Sequence, residues 1–342
     1  MVYLISYVWK STKDNHTGMS YMCDLLVQMY PKRFRVYKHY QHDRIRLFHI
    51  NRVNNLLNKI IEKFEDIRIL FTLYVLLFKL DDGDTILLTE YLHPNVNHLR
   101  LAKLIKKKRP KIRVYGMAHL TPTMLKNMNI SSVQMEIWNK NVDYFVTLGS
   151  NLTMYINSFG IPQEKIITTR HYVDAQYYNS LIDHNGMFQV IVIGNMQRNY
   201  NQLEEIIKLC STIKFIICAG KENLSQLKKY SNVKVLGYIS ENELKDYMAQ
   251  SSISMSVMED TVGSNVVVTS MAMGLCQVVS DVGAIRDYCT DENAMFCSST
   301  KDFVNSLQYL NNHSEELYQK RINAKLSVKE FSIERFINDL SL

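Results

Sequence analysis

Short apolar runs alternate with stretches of helical spacing along most of the chain. "VYLISY" (Val2–Tyr7) reads as a strand, and "GMSYMCDLLVQMY" (Gly18–Tyr30) as the helix that follows it. "RFRVYKH" and "RIRLFHI" read as further strands. In "VNNLLNKIIEKF" the residues Leu56, Leu57, Ile60, Ile61 and Phe64 recur at helical intervals. "ILFTLYVLLF" (Ile69–Phe78), bounded by Arg68 and Lys79, falls short of the ~18–20 apolar residues that span a bilayer and is expected to be a buried core helix. Strand "DTILLTEYL", helix "HLRLAKLIKKK", strands "KIRVYGMAH" and "VDYFVTLGS", and helix "NLTMYINSFG" complete this first series.

The alternation then restarts. "FQVIVIGN" (Phe188–Asn195) is a strand, "YNQLEEIIKLC" a helix, "KFIICAG" and "NVKVLGYI" strands, "ENELKDYMAQS" a helix and "ISMSVM" a strand. Two successive β/α series predict an α/β chain with two sheets of largely parallel strands, each covered by helices. Apolar periodicity lapses from Val173 to Gly186, which separates a first domain, 1–172, from a second, 187–327. Ligands of such sheets bind beyond the carboxyl ends of the strands. The loops that matter are therefore Trp9–Gly18, Ala118–Thr123, Asn195–Asn201, Gly220–Asn223 and Glu259–Asn265, around a cleft between the domains.

Composition narrows the class. The 342 residues, 46% hydrophobic and 21% charged, suit two globular domains rather than a disordered chain. The net charge of +7 conceals an asymmetry: residues 1–170 carry 25 Lys/Arg against 13 Asp/Glu, and the remainder 15 against 20. "KLIKKKRPKIR" (Lys103–Arg113) holds seven basic residues and no acid. A solvated helix end, an anionic membrane surface and nucleic acid are the three readings of that cluster. The absence of interleaved aromatics and of a binding motif weighs against nucleic acid. Lys106, Lys107, Lys108 and Arg109 are the candidate membrane or acceptor patch. The six cysteines form no CxxC pair and lie mostly in apolar runs, which suits reduced, buried thiols in a cytoplasmic protein and no metal site. The first residues show neither the basic region nor the small-residue cleavage site of a signal peptide.

The chemistry concentrates in "MEDTVGSNVVVTSMAMGLCQVVSDVGAIRDY" (Met258–Tyr288). After strand "ISMSVM", Gly263 lets the loop turn tightly, and Ser264 or Asn265 caps a helix of small residues stopped by Gly274. Its first N–H groups, around Val266, point outward at a strand end and form an anion site suited to phosphate.

The order G-S-N-V-V-V-T-S-M-A-M-G-L…V-V-S-D-V-G…R-D is similar to the nucleotide-sugar segment of family 4-type glycosyltransferases, which have the GT-B fold. "VIVIGN", "NVKVLGYISENELKDYMAQSSISMSVM" and "VDYFVTLGSNLTMYINSFGIPQEKIITTRHYVD" resemble further blocks of that family, so the likeness covers roughly residues 84 to 300. The resemblance implies two Rossmann-like domains with parallel sheets facing a central cleft. The first would bind the acceptor and the second the nucleotide sugar, and a C-terminal helix, 328–342, would cross back to the first.

The resemblance also assigns residues. The family's pair of glutamates falls on Thr261 and Thr269. Thr269 retains a hydroxyl for the ribose, and Asp260 or Glu259, with Asp260 preferred, is the candidate for the carboxylate that contacts the donor sugar. In "GNMQRNYN", Asn195 and Arg198 are candidates for the diphosphate, with Lys221 as a second cation. His119, just past strand "KIRVYGMAH", is the candidate near the reacting carbon. Gly18 permits close backbone approach in the first β/α loop, where His16 is a further candidate, as are Glu90 and His93. The implied activity is transfer of a sugar from a nucleotide-diphosphate donor to a saccharide or lipid-linked saccharide, retaining and metal-independent, without a cofactor. Bacterial surface polysaccharide assembly (lipopolysaccharide or capsule), at the inner face of the cytoplasmic membrane, is the implied setting. The missing glutamates keep open a GT-B protein that binds a nucleotide sugar without transferring it, or epimerises it.

Overall fold

A computed structural model describes residues 1–342 apart from 10–14, 17, 41–50, 94–95, 184–186 and 221. The expected strand "RIRLFHI" and Lys221 lie outside the described residues. The first domain begins with β1 (Val2–Val8), α1 (Met19–Met29), β2 (Phe34–Tyr40), α2 (Asn51–Lys79), β3 (Thr85–Leu88) and α3 (His98–Lys108). It continues through β4 (Arg113–Ala118), α4 (Pro122–Asn127), α5 (Ser132–Asn139), β5 (Tyr144–Thr147), α6 (Ser150–Asn157) and β6 (Ile166–Thr168). All pairs are parallel in the order β2-β1-β3-β4-β5-β6, with Val2 opposite Phe34 on one side and Thr85 on the other.

The second domain repeats the plan with β7 (Gln189–Ile193), α7 (Tyr200–Leu209), β8 (Lys214–Cys218), β9 (Val233–Leu236), α8 (Glu241–Ala249) and β10 (Ile253–Ser256). Then come α9 (Asn265–Ala272), β11 (Cys276–Ser280), β12 (Ala294–Cys297), α10 (Thr300–Asn312) and α11 (Ser314–Ser327). Its sheet is again parallel, in the order β12-β11-β10-β7-β8-β9. The central strands are buried on both faces, as in "TILL" of β3 and "ISMS" of β10, which explains their unbroken apolar or small-residue character.

The chain crosses back at Ser332. Val328 and Phe331 pack in the core of the second domain, while Ile333, Phe336 and Ile337 of α12 (Ile333–Asp339), with Leu340 just after it, complete the core of the first around Leu4 and Met22. In each sheet the strand order reverses once, at β1/β3 and at β7/β10. Crevices at such reversals are where open α/β sheets receive ligands. All six cysteines are buried and unbridged.

One expectation fails. Ile69–Phe78 is not a buried core helix but the last third of α2, a single helix of 29 residues. Leu76 is fully buried, yet Phe71, Tyr74 and Phe78 are 67%, 60% and 72% exposed. The helix meets its own domain along one side near its C-terminal end, so an apolar sequence all round did not make a surrounded helix.

Candidate active site

The two reversals open onto one cleft of about 710 Å³, lined from the first domain by the ends of β1, β3 and β4 and from the second by the loops after β7 and β10. Gly18, His119, Asn195, Arg198, Asp260, Gly263, Ser264, Asn265, Val266 and Thr269 all border it, residues separated by up to 250 positions in sequence. A smaller recess of about 410 Å³ adjoins it at His16, Tyr177 and Glu241.

The loop after β10 has the predicted design. Ser264 caps α9, its Oγ accepting Val267 N–H at 3.4 Å. The N–H groups of Asn265 and Val266 in the first turn have no intrahelical acceptor. Gly263 holds φ +123°, and a Cβ there would lie 2.8 Å from Leu148 O and against the Tyr288 hydroxyl. One domain's backbone thus approaches the other closely here, at a positive φ and with no room for a side chain. The N-terminus of α1 also opens on the cleft: Gly18 is its N-cap and offers no side chain to occupy the first N–H groups.

Arg198 stands beside α9. Gly194, at φ +81°, lies between them: a Cβ there would be 3.3 Å from Val266 Cγ2 and 3.4 Å from Arg198 Nη2. Arg198 Nη2 donates to Ile193 O at 3.0 Å, but Nε and Nη1 are occluded from solvent and have no partner among the described residues. Burial without a carboxylate pulls the guanidinium down to about 10, which still leaves it charged at neutral pH. Thr269 Oγ1 is likewise buried and unpartnered at the cleft wall.

The structure changes the picture for Asp260. Rather than projecting a spare carboxylate toward a sugar, it accepts Thr123 N–H on Oδ2 (3.0 Å), and Asn151 Nδ2 (3.2 Å) and its neighbour Thr261 N–H (2.8 Å) on Oδ1. The first two bonds cross between the domains. Thr261, in the place of the first glutamate, turns inward as well and bonds the backbone of Gly263. A short loop with a buried acid fixes the two domains here and leaves no second carboxylate among these residues.

His119 sits where the sequence suggested, with Nε2 2.7 Å from Thr89 O. A carbonyl only accepts, so Nε2 carries the proton and Nδ1 is left as the acceptor of the neutral ring. His171, 6.1 Å from His119 between ring centroids, also lines the cleft. Burial holds it neutral, down to about 3, and the neighbouring His119 adds to the effect. His93 is lowered too, chiefly by burial. Glu90 Oε1 accepts Trp9 Nε1–H at 3.2 Å, and His98, buried behind it, accepts Glu90 N–H on Nδ1 at 3.3 Å. His16 belongs to a clasp instead: Nδ1 is 3.0 Å from Asp174 Oδ2 and the ring stacks on Tyr177 at 3.6 Å.

The basic patch is only partly available. Lys106 is tied to Asp143 (2.7 Å to Oδ1) and to Ile112 O, and Arg109 donates to Leu77 O at 2.9 Å. Lys107 and Lys108 remain exposed. Sequence reasoning missed His171, Asn151 and Asp287. Ser150 N–H donates to Asp287 Oδ2 at 2.6 Å, so an acid of the second domain caps α6 of the first. The quoted Arg-His-Tyr-Val-Asp stretch could have flagged His171, and the Arg-Asp that closes the quoted glycine motif could have flagged Asp287; nothing local marked the role of Asn151.

Residues 188–313 match the model of the family Glycosyl transferases group 1. Over its length the chain is similar to several solved structures. One is HepE of Anabaena in complex with UDP-glucose, at 12% identity and TM-score 0.72, covering 100% of this chain and 98% of that one. Another is the lipopolysaccharide outer core galactosyltransferase WaaB in its apo form, at 13% and 0.68, covering 99% of each. A third is sucrose-phosphate synthase from Thermosynechococcus elongatus, at 11% and 0.69, covering 99% and 97%. The likenesses show the fold: two Rossmann-like domains in the GT-B arrangement. They agree with the resemblance to GT-B, group 1 glycosyltransferases read from the sequence. No curated protein matches the chain in sequence.

Proposed function

We propose that this chain transfers a sugar from a nucleotide-diphosphate donor to a hydroxyl of a saccharide or lipid-linked saccharide. One observation carries the reading. Arg198 is an unpaired cation with two occluded nitrogens, next to the open N-terminus of α9, in a cleft shared by two domains. A buried cation without a carboxylate is costly unless a ligand anion completes it. Fixed N–H groups and a forked guanidinium suit a diphosphate.

In transfer, the bond between the anomeric carbon and the diphosphate oxygen breaks and its electron pair leaves with the diphosphate, while the acceptor oxygen bonds that carbon and gives up its proton to the departing diphosphate. Negative charge grows where Arg198 and the Asn265 and Val266 N–H groups point. A helix end contributes ~0.3–2 kcal/mol and a hydrogen bond to a charged group ~1.5–3 kcal/mol. Together that is on the order of one to three powers of ten in rate, at about 1.4 kcal/mol each. The Thr269 hydroxyl takes the ribose. His119, its ring fixed by Thr89 O, holds the sugar or steers the acceptor hydroxyl from the other side. We assign Asp260 to holding the domains at this geometry. Retention of anomeric configuration, independence from metal and a role in surface polysaccharide assembly at the cytoplasmic membrane face belong to the same proposal. HepE bound to UDP-glucose and the galactosyltransferase WaaB, both of this fold, support it.

The engagement of Asp260, with threonines at 261 and 269, favours a second reading: a protein that binds the nucleotide sugar and does not transfer it. A thermal-shift panel of nucleotide diphosphates and their sugars, followed by NMR of the donors incubated with glycoside acceptors, separates the two. A donor that stabilises the chain and is consumed supports transfer. Stabilisation without any consumption selects the second reading, and no stabilisation by any nucleotide diphosphate sinks both.

A further inference from the structure

Helix α2 carries an apolar strip that the described residues of its own domain do not cover. Ile60, Phe64, Ile67, Phe71, Tyr74 and Phe78 recur every three or four residues and are 42–72% exposed. At about 100° per residue they share one narrow side of the helix. Exposed apolar surface on the order of 600 Å² in one strip is at the limit of what a monomer ordinarily shows to water. The helix is mounted firmly at its C-terminal end, where Leu76 is buried, Tyr3 Oη donates to Lys79 O at 3.0 Å and Arg109 of the basic cluster donates to Leu77 O. The exposed Lys107 and Lys108 end the helix α3 that packs against it.

Charge identifies what covers the strip. Exposed Lys63 borders it along one margin, exposed Lys79 falls beyond the other, and Lys107 and Lys108 stand exposed at the end of the neighbouring helix. A strip edged with cations suits an anionic lipid surface. No described helix is long and apolar enough to cross a membrane.

We infer that α2 lies in the plane of an anionic membrane, its aromatic strip among the acyl chains and Lys63, Lys107 and Lys108 at the headgroups. This deepens the lipid-linked-acceptor part of the reading above, because it would hold the cleft beside the membrane that carries such an acceptor.

The test is co-sedimentation of the full chain with vesicles of phosphatidylcholine alone and of phosphatidylcholine mixed with phosphatidylglycerol. The mixed vesicles should bind at least about tenfold better, and Phe71→Glu with Phe78→Glu should lose at least about tenfold of that binding. Lys107→Glu with Lys108→Glu should lose about five times per residue at low salt and little at high salt. Phe71→Trp, which keeps the surface apolar, should bind as the unaltered chain does and shift its emission to the blue on mixed vesicles. Equal binding by the unaltered chain and Phe71→Glu/Phe78→Glu, or no blue shift, overturns the inference. So does a dimer in light scattering that Phe71→Glu dissolves. Stabilisation by nucleotide is read on the same samples: intact stabilisation with failed vesicle binding removes this inference alone, and the reverse removes the transferase reading alone.

Discussion

The carboxylate of Asp260 in the second domain accepts the backbone N–H of Thr123, the second residue of α4 in the first domain, at 3.0 Å. The bond places a negative charge at a helix N-terminus, where it is favourable, and it crosses the cleft entrance. Asn151 bonds the same acid through Nδ2 and also donates to Thr261 O at 2.9 Å. The loop that carries α9 is therefore positioned by the opposite domain.

Removing that acid should loosen the domains without unfolding either. Asp260→Ala leaves Thr123 N–H without its acceptor and Asn151 Nδ2 with Thr261 O alone, a loss of about 1–3 kcal/mol. Expected are faster proteolysis between residues 173 and 183 and a larger radius of gyration by small-angle scattering. Asp260→Asn, which still offers an oxygen, should fall between. Unchanged proteolysis and scattering in Asp260→Ala would remove its bridging role.

Arg198 gives opposite signs in two measurements. Arg198→Met removes a buried, unpaired cation, so the free protein should melt no lower than the unaltered chain. The same change should weaken binding of a nucleoside diphosphate by one to two orders of magnitude, about 1.5–3 kcal/mol, in calorimetry. A substitution that merely damaged the fold would lower both.

Thr269 Oγ1 is buried with no partner, so Thr269→Val should stabilise the ligand-free chain or leave it unchanged. Affinity for a nucleotide diphosphate should drop about fivefold, on loss of one hydrogen bond of about 1 kcal/mol. Equal affinity in titration calorimetry would take Thr269 out of the ribose site.

Acid should destabilise the protein through its histidines. Burial lowers His98 and His171 to about 3, whereas unfolded histidine titrates near 6.5. The unfolded chain therefore binds more protons as pH falls below about 6.5, and stability drops by up to about 1.4 kcal/mol per pH unit for each ring until the folded rings protonate. Nothing is gained or lost from these two rings above pH 7. His171→Gln should flatten the fall in melting temperature between neutral pH and mild acid.

The two β/α series, the cap at Ser264, the turn at Gly263 and the cation at Arg198 were legible because each depends on neighbours within a few residues. Period-2 and period-3.6 patterns are local, and so is the choice of a small polar residue ahead of a helix. That Thr261 and Thr269 fall where glutamates stand in family 4-type glycosyltransferases is what the resemblance implies. What Asp260 does was not legible, since its partners Thr123 and Asn151 are over a hundred positions away. Strand order is equally nonlocal: nothing in β1 or β7 announces that the sheet reverses beside it. The apolar run at Ile69–Phe78 shows the limit most plainly. Its composition dictated a helix avid for apolar contact, but only packing decided that Leu76 would find protein and Phe71 and Phe78 would not. Propensity and periodicity are properties of a segment, while burial depends on where the rest of the chain has gone.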